Sequence, residues 1–152
     1  MSSAGQVTGI YLAAERGAGK TACTTAELIA DHGLQGDAHA GTHPHRHISL
    51  FVQETVHALH TEGFPVAPGE LSANLFISGL PLDALPLGTQ LRIGPVLLEI
   101  SEQRKPCRSI TRIDHRLPKR LFGQCGQFAR VLVGGTVQVG DTVEFLRNSS
   151  AA

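Results

Sequence analysis

The sequence predicts a mainly β fold with a few helices, arranged as a small closed or half-closed β-barrel. Short runs of β-forming residues alternate with turn residues, and only one segment has convincing helical spacing. The 17 glycines and 8 prolines are scattered singly, as expected for many short elements joined by tight turns. Neither a repeat nor a linker divides the chain. We therefore expect a single domain over residues 1–152, with an ordered core at about 5–147 and a tail at 148–152.

In the first half of the chain, strands are predicted where apolar and β-branched residues cluster between turn signals. These predicted strands are residues 7–13, 48–52 and 75–77. Residues 15–25 are predicted to be a loop, and residues 26–31 form a short apolar piece before two turns.

Residues 53–62 are predicted to form the helix, because Val52, Val56 and Leu59 are spaced four and then three apart. Gly63 and the nearby Pro65 end it. The rest of the chain is predicted to be mostly β, with glycine-containing turns between the strands. The predicted strands are residues 90–93, 96–101, 128–133, 136–139 and 142–146.

The composition argues against several classes of partner. Thirteen basic and thirteen acidic side chains cancel, so we expect neither nucleic acid nor an anionic membrane surface as the main partner. The sequence contains no run of about 18 apolar residues, the length that is needed to span a bilayer. The three cysteines are an odd number at wide spacing, and the first six residues have no apolar signal core. We expect a reduced, cytoplasmic protein.

Residues 14–21 fit a relaxed phosphate-loop pattern in which Lys20 is the lysine. Such loops bind phosphates through backbone amides and a lysine, between a strand and a helix. Here residues 22–25 open no strong helix, and no later strand ends in an obvious magnesium-binding aspartate. Nucleotide binding through Lys20 is therefore the last of our hypotheses.

Four of the eight histidines, His39, His43, His45 and His47, lie within nine residues. In an extended segment the last three would point to one side, and such a set could bind zinc or copper. The alternative is a solvated loop, which we favour for His43 and His45. His39, Arg46 and His47 are candidates to face a pocket, because they adjoin a Gly-Asp turn and an apolar strand.

Cys107 is the candidate reactive residue, because it follows the predicted strand at 96–101 and lies among cations. Arg104, Lys105 and Arg108 lie within three positions of it, and positive charge favours thiolate over thiol. A thiolate is both a nucleophile and a soft metal ligand. The alternative is that a lone cysteine is a small buried hydrophobe, and we keep that interpretation for the other two cysteines.

Together these motifs resemble the MOSC domain, a family named from the C-terminal part of molybdenum cofactor sulfurases. Its stand-alone bacterial members have chains of about this extent, and six stretches match in order. The matching stretches are residues 32–41 (HGLQGDAHAG), 46–50 (RHISL), 68–75 (PGE and NL), 87–94 (LGTQLRIG), 105–107 (KPC) and 129–141 (ARVL and the glycine turns).

The resemblance implies a β-barrel similar to the barrel of pyruvate kinase, with a pocket for molybdopterin, the molybdenum cofactor. The purified protein either contains this cofactor or has none bound. Cys107 is then the molybdenum ligand or a carrier of sulfur. The implied cofactor-binding residues, which would contact the phosphate and the pterin edge, are Asp37, His39, Arg46, His47, Asn74, Arg104, Arg108 and Arg130. The implied partners are a small-molecule substrate and electron-donor redox proteins, and the sequence leaves the oligomeric state open.

The chain departs from the family pattern in two places. Ala73 stands where glutamate usually precedes Asn-Leu, so any hydrogen bond from that carboxylate is lost. The stretch after Cys107 is unusually basic, and we expect it to be a solvated face. Its basic residues are Arg108, Arg112, Arg116, Lys119 and Arg120, against the single acid Asp114.

Four functions follow, in order of preference. The first is a molybdenum-dependent oxidoreductase component that reduces N-hydroxylated compounds. The second is a sulfur carrier or cofactor-handling protein that bears a persulfide on Cys107. The third is a zinc-binding module built on the histidine cluster, and the fourth is a nucleotide-binding protein.

Overall fold

The computed structural model describes residues 4–15 and 19–146 of the chain. Part of the phosphate-loop pattern, residues 16–18, and the predicted tail at 148–152 lie outside the described residues. The strands are β1 (Ala4–Leu12), β2 (Thr21–Cys23), β3 (Thr25–Ile29), β4 (Gly33–Leu34), β5 (Ile48–Val52), β6 (Leu75–Ser78), β7 (Gln90–Ile93), β8 (Val96–Gln103), β9 (Gln127–Val133), β10 (Gly135–Gln138) and β11 (Thr142–Leu146). The helices are α1 (Gln53–Thr61) and α2 (Leu117–Leu121), with 3-10 helices at Pro68–Leu71, Leu82–Ala84 and Arg108–Arg112.

Seven strands close into a barrel in the order β11-β7-β8-β9-β5-β6-β1, because β11 also pairs with β1. Strand β5 runs parallel to β6, and the other pairs of this ring are antiparallel. Strand β2 extends the sheet beside β1, and β10, β3 and β4 form a separate small sheet. The predicted mainly β barrel is confirmed.

Most predicted elements lie where the sequence places them. The predicted helix at 53–62 is α1, and the apolar piece at 26–31 is most of β3. The predicted loop at 15–25 was wrong at Thr25, the first residue of β3, and over Thr21–Cys23, which pairs with the end of β1. That edge strand is short and largely exposed, so it carries no apolar alternation that could have revealed it.

Two apolar clusters explain why four of the five residues of β5 are apolar. Leu50 belongs to the cluster inside the barrel, together with residues such as Val7 and Ile77. Phe51 belongs to a second cluster outside it, with Leu59 of α1 and Leu121 of α2. A strand covered on both faces carries apolar side chains on both, and the one polar residue of β5, Ser49, is hydrogen-bonded to Asn74. The second cluster anchors the segment between β8 and β9, which carries Cys107.

No helix among the described residues has the length and apolar character needed to cross a membrane.

Candidate functional site

Two neighbouring cavities bring the candidate residues together. The first, called here the arginine cavity, has a volume of about 390 Å³, and its wall includes Arg46 and Arg104. The second, called here the thiol cavity, has a volume of about 770 Å³, and its wall includes Cys107. Both walls share three residues, Lys20, His39 and Ser72.

Lys20 and Asp37 form a buried ion pair beside both cavities. Lys20 Nζ lies 2.7 Å from Asp37 Oδ1, and each side chain is only 3% exposed. Burial alone would raise the pKa of Asp37, but hydrogen bonds from Lys20 and from the amide of Ala13 lower it below its usual range. The ammonium of Lys20 is thus neutralised within the protein, unlike that of a phosphate-loop lysine.

Asn74 directly precedes β6, and its side chain forms hydrogen bonds to β5 and to β1. Its Oδ1 accepts hydrogen bonds from the amide and the hydroxyl of Ser49, at 3.0 and 3.1 Å. Its Nδ2 donates to the carbonyl of Tyr11 at 3.1 Å. The amide that the resemblance assigns to a pterin edge is therefore largely engaged with β1 and β5.

Arg104 is a buried cation in the wall of the arginine cavity, directly after β8. Its Nη2 donates to the carbonyl of Leu71 at 3.1 Å, whereas its Nη1 is buried with no hydrogen-bond partner among the described residues. Burial lowers the pKa of the guanidinium, and the nearby sulfurs of Cys125 and Cys107, when ionised, act in the opposite direction. An arginine still keeps its charge at neutral pH, so this site favours an anion.

Arg46 is the second guanidinium of the arginine cavity. It forms a two-point ion pair with Glu102, at 3.0 and 2.7 Å, and stacks over the ring of Phe128 at 4.9 Å. Both charged side chains are about two-fifths exposed, so the pair contributes little to stability. The charge of Arg46 is thereby shared with a carboxylate, in contrast to that of Arg104.

Two of the expected phosphate-binding arginines lie away from the cavities. Arg108 is exposed, and Arg130 lies 3.7 Å from Glu99, and neither belongs to the wall of either cavity. Arg130 lies two residues beyond Phe128 on β9, and Phe128 does line the arginine cavity. Side chains alternate along a strand, so Arg130 lies on the same face of β9 as Phe128. It lies too far along the strand to be part of the cavity wall.

The four clustered histidines do not converge on a metal site. No group of three or more potential ligands is formed by the residues that the structure describes. His47 is buried in the barrel wall, where its Nδ1 accepts the amide of Val131 at 3.0 Å, and burial lowers its pKa. His39 lies in both cavity walls and His43 in the arginine cavity, whereas His45 is exposed.

Cys107 is an exposed free thiol in the wall of the thiol cavity. The hydroxyl of Ser109 donates to its sulfur at 3.1 Å, and this bond, with the Ser109 amide, is the main cause of a lowered pKa. The positive charges of Arg104 and Arg112 lower the pKa further. Of the three cations that the sequence predicts to lower the pKa of Cys107, Arg104 is one that does so. Ser109 and Arg112 were missed, because their roles depend on the 3-10 helix that returns them to the sulfur.

The other two cysteines differ from Cys107 in their surroundings. Cys125 is buried in the outer apolar cluster, and burial raises its pKa. Cys23 is partly buried, and its pKa is raised for the same reason. Among the three thiols, a lowered pKa is found at Cys107 alone.

Comparison with known proteins identifies a family relationship. The model of the MOSC domain matches residues 35–144. The YuaD protein from Bacillus subtilis has a similar structure, with a TM-score of 0.80 and 21% identity over 93% of this chain and 95% of that chain.

YiiM from Escherichia coli and YiiM from Geobacillus stearothermophilus are also similar, with TM-scores of 0.70 and 0.74 at 22% and 21% identity. These two comparisons cover 94% of this chain, and 68% and 75% of the respective YiiM chains. At such identities the structures support a shared fold. No curated protein sequence gives a significant match.

Proposed function

Because this chain belongs to the MOSC domain family, which is associated with molybdenum cofactor binding, we propose that it binds a molybdenum–pterin cofactor and reduces N-hydroxylated compounds. One observation carries the proposal. A cavity with an activated thiol, Cys107, shares part of its wall with a cavity that contains a buried, incompletely paired guanidinium, Arg104. These are the two chemical features that a metal-bearing pterin phosphate needs from a protein.

The residues of the arginine cavity fit the anionic end of such a cofactor. The free Nη1 of Arg104 leaves a hydrogen bond unmade, and a buried donor without a partner costs about 1–3 kcal/mol. A phosphate oxygen would satisfy the donor and compensate the buried charge at once. Arg46 is already paired with Glu102 and would contribute less.

The residues of the thiol cavity fit the metal end. Molybdenum accepts a thiolate ligand, and Ser109 and Arg112 both favour the ionised form of Cys107. When bound, the cofactor supplies a metal that cycles between oxidation states, with electrons delivered by separate redox proteins. Reduction of an N-hydroxyl group consumes an electron pair and two protons, breaks the N–O bond and releases water. The protein contributes by orienting the sulfur and by holding the phosphate.

The metal end is tested by the metal content of purified protein. Protein from cells that make the cofactor should contain close to one molybdenum per chain, and Cys107→Ser should lose it. Cys23→Ser is the matched control, because Cys23 lies outside both cavity walls, and it should retain the metal. A Cys107→Ser protein with full molybdenum content would exclude Cys107 as the ligand.

The anionic end is tested by the pterin content of Arg104 variants. Arg104→Gln should reduce the bound pterin at least about tenfold, since a charge-assisted hydrogen bond contributes about 1.5–3 kcal/mol. Arg104→Lys keeps the charge and should retain more, and Arg92→Gln, on an exposed position of β7, should change nothing. Circular dichroism is the check that each variant is folded. Unchanged pterin in folded Arg104→Gln would reject this role.

The exposure and lowered pKa of Cys107 also favour a second function, sulfur transfer. In this reaction the thiolate of Cys107 attacks the outer sulfur of a persulfide donor, the donor leaves as a thiolate, and Cys107 becomes a persulfide. Mass spectrometry after incubation with a cysteine desulfurase and cysteine should find one added sulfur on Cys107. An unmodified Cys107 under these conditions would exclude the carrier function.

A further inference from the structure

Ser109 links the reactive thiol to a guanidinium in the same cavity wall. The hydroxyl of Ser109 donates to Cys107 Sγ at 3.1 Å, while its carbonyl accepts a hydrogen bond from Nε of Arg112 at 3.2 Å. All three residues line the thiol cavity. Arg112 is therefore held at a defined place beside the sulfur, although its side chain begins five positions later in the chain.

Within the described parts of the chain, no carboxylate pairs with the terminal nitrogens of Arg112. Its two basic neighbours toward α2 are neutralised, because Arg116 pairs with Asp114 and Arg120 pairs with Glu62, each bond being 2.6–2.7 Å. No ion pair among the described residues includes Arg112. The segment after Cys107 thus contains two paired arginines, the exposed Arg108 outside the cavity wall, and Arg112, which lies in the wall and is oriented by its Nε.

The acidic residue in the same described wall, Glu70, forms no ion pair with Arg112. Glu70 lies in the thiol cavity wall, but its Oε1 accepts the amide of Ala67 at 2.8 Å at the start of a 3-10 helix. Lys20, the other cation of this wall, is bound to Asp37. Arg112 is the cation of the described thiol cavity wall whose charge has no carboxylate partner.

We propose that Arg112 selects substrates that carry a carboxylate, binding it through its terminal nitrogens while the N-hydroxyl group lies at Cys107. This inference rests on the proposed function, and it narrows the substrate class to N-hydroxylated carboxylic acids. A guanidinium presents two parallel N–H donors that match the two oxygens of a carboxylate, whereas an ammonium provides only a point charge. Because Nε is already bound to Ser109, less side-chain freedom is lost on binding.

The test compares two compounds that differ only in the carboxylate, N-phenylhydroxylamine and 4-(hydroxyamino)benzoate. The cofactor-loaded protein is assayed with reduced methyl viologen as the electron donor. We expect kcat/KM of the native protein to be about tenfold higher for the carboxylate compound, as one charge-assisted bidentate contact would give. In Arg112→Gln the ratio of kcat/KM between the two compounds should fall to about one, because KM for the carboxylate compound rises relative to KM for the neutral one.

Two further variants separate specific recognition from general charge. Arg108→Gln removes an exposed cation of the same 3-10 helix that lies outside the cavity wall, and the preference should remain. Arg112→Lys should restore only part of it, because the fork geometry is lost. Equal loss in Arg108→Gln and Arg112→Gln would show a diffuse electrostatic effect and overturn the proposal.

Binding to the cofactor-free protein provides a readout that does not depend on turnover. By calorimetry, 4-(hydroxyamino)benzoate should bind the native protein and Arg108→Gln alike, and about tenfold more weakly to Arg112→Gln. If neither compound is reduced although this binding difference is found, the proposed reduction fails while the carboxylate site stands. If both compounds are reduced with equal kcat/KM, the carboxylate site is rejected while the proposed function stands.

Discussion

Replacing Lys20 by methionine should destabilise the protein strongly, because it leaves the buried carboxylate of Asp37 without its counter-ion. At 2.7 Å two unit charges attract by about 6 kcal/mol at an effective dielectric constant of about 20. Much of this attraction is offset by the desolvation of both ions. Removal of one partner nevertheless typically costs about 3–5 kcal/mol, since the other charge stays buried.

The environment of Asp37 places the expected loss near the lower end of that range. Its Oδ1 keeps the hydrogen bond from the amide of Ala13 at 2.9 Å, which compensates part of the lost ion pair. We expect Lys20→Met to lower the free energy of unfolding by about 3 kcal/mol. Urea denaturation followed by circular dichroism measures it, with the exposed Lys119→Met as a control that should change little.

The pH dependence of the free energy of unfolding provides a second, independent test. The folded-state pKa of Asp37 lies below its unfolded-state value, so its contribution to stability is complete above about pH 4 and is lost as the pH falls through the folded-state pKa. The difference between the native protein and Lys20→Met should therefore shrink below about pH 4. The double variant Lys20→Met/Asp37→Asn should recover part of the loss. A Lys20→Met protein as stable as the Lys119→Met control at pH 7 would refute the reasoning.

Three other predictions concern a glycine, a histidine and the reactive thiol. Gly126→Ala should cost at least about 3 kcal/mol, because a Cβ there would clash with the carbonyl oxygen of Leu50 at a φ of +81°. Gly123→Ala, at a φ of +79° with open space around it, should cost only about 1–2 kcal/mol, and equal melting temperatures would contradict this. Burial keeps the folded-state pKa of His47 below its unfolded value, so stability should fall as the pH drops below about 6.5, and less so in His47→Gln. Iodoacetamide at pH 7 should alkylate Cys107 before the other cysteines, as peptide mass spectrometry would show, and prior modification of another cysteine would argue against an activated Cys107.

The sequence predicted the barrel because its strands follow simple patterns. Strand β5 is apolar at four of its five positions and is covered on both faces, and α1 has a regular apolar spacing that ends at Gly63. The short helix α2 was missed, because five residues that include a proline and two basic side chains have no usable period. Long and periodic elements can be predicted from sequence in this way, whereas short irregular ones depend on the contacts that hold them.

The candidate site was predicted in part, for a related reason. Cys107 and Arg104 stood out because charge next to a cysteine is visible in the sequence. The sequence could not indicate that Ser109 would donate to the sulfur, or that Asn74 would be engaged by Ser49, since these bonds arise only after folding. Conversely, Arg108 looks equivalent to Arg104 in the sequence, but one is exposed and the other is buried at a cavity.

An anomalous scattering map at the molybdenum absorption edge tests the central claim most directly. Crystals would be grown from protein purified from cells that make the pterin cofactor. The account predicts one strong peak within bonding distance of Cys107 Sγ in the thiol cavity. A molybdenum peak bound elsewhere, with Cys107 free of metal, would contradict it.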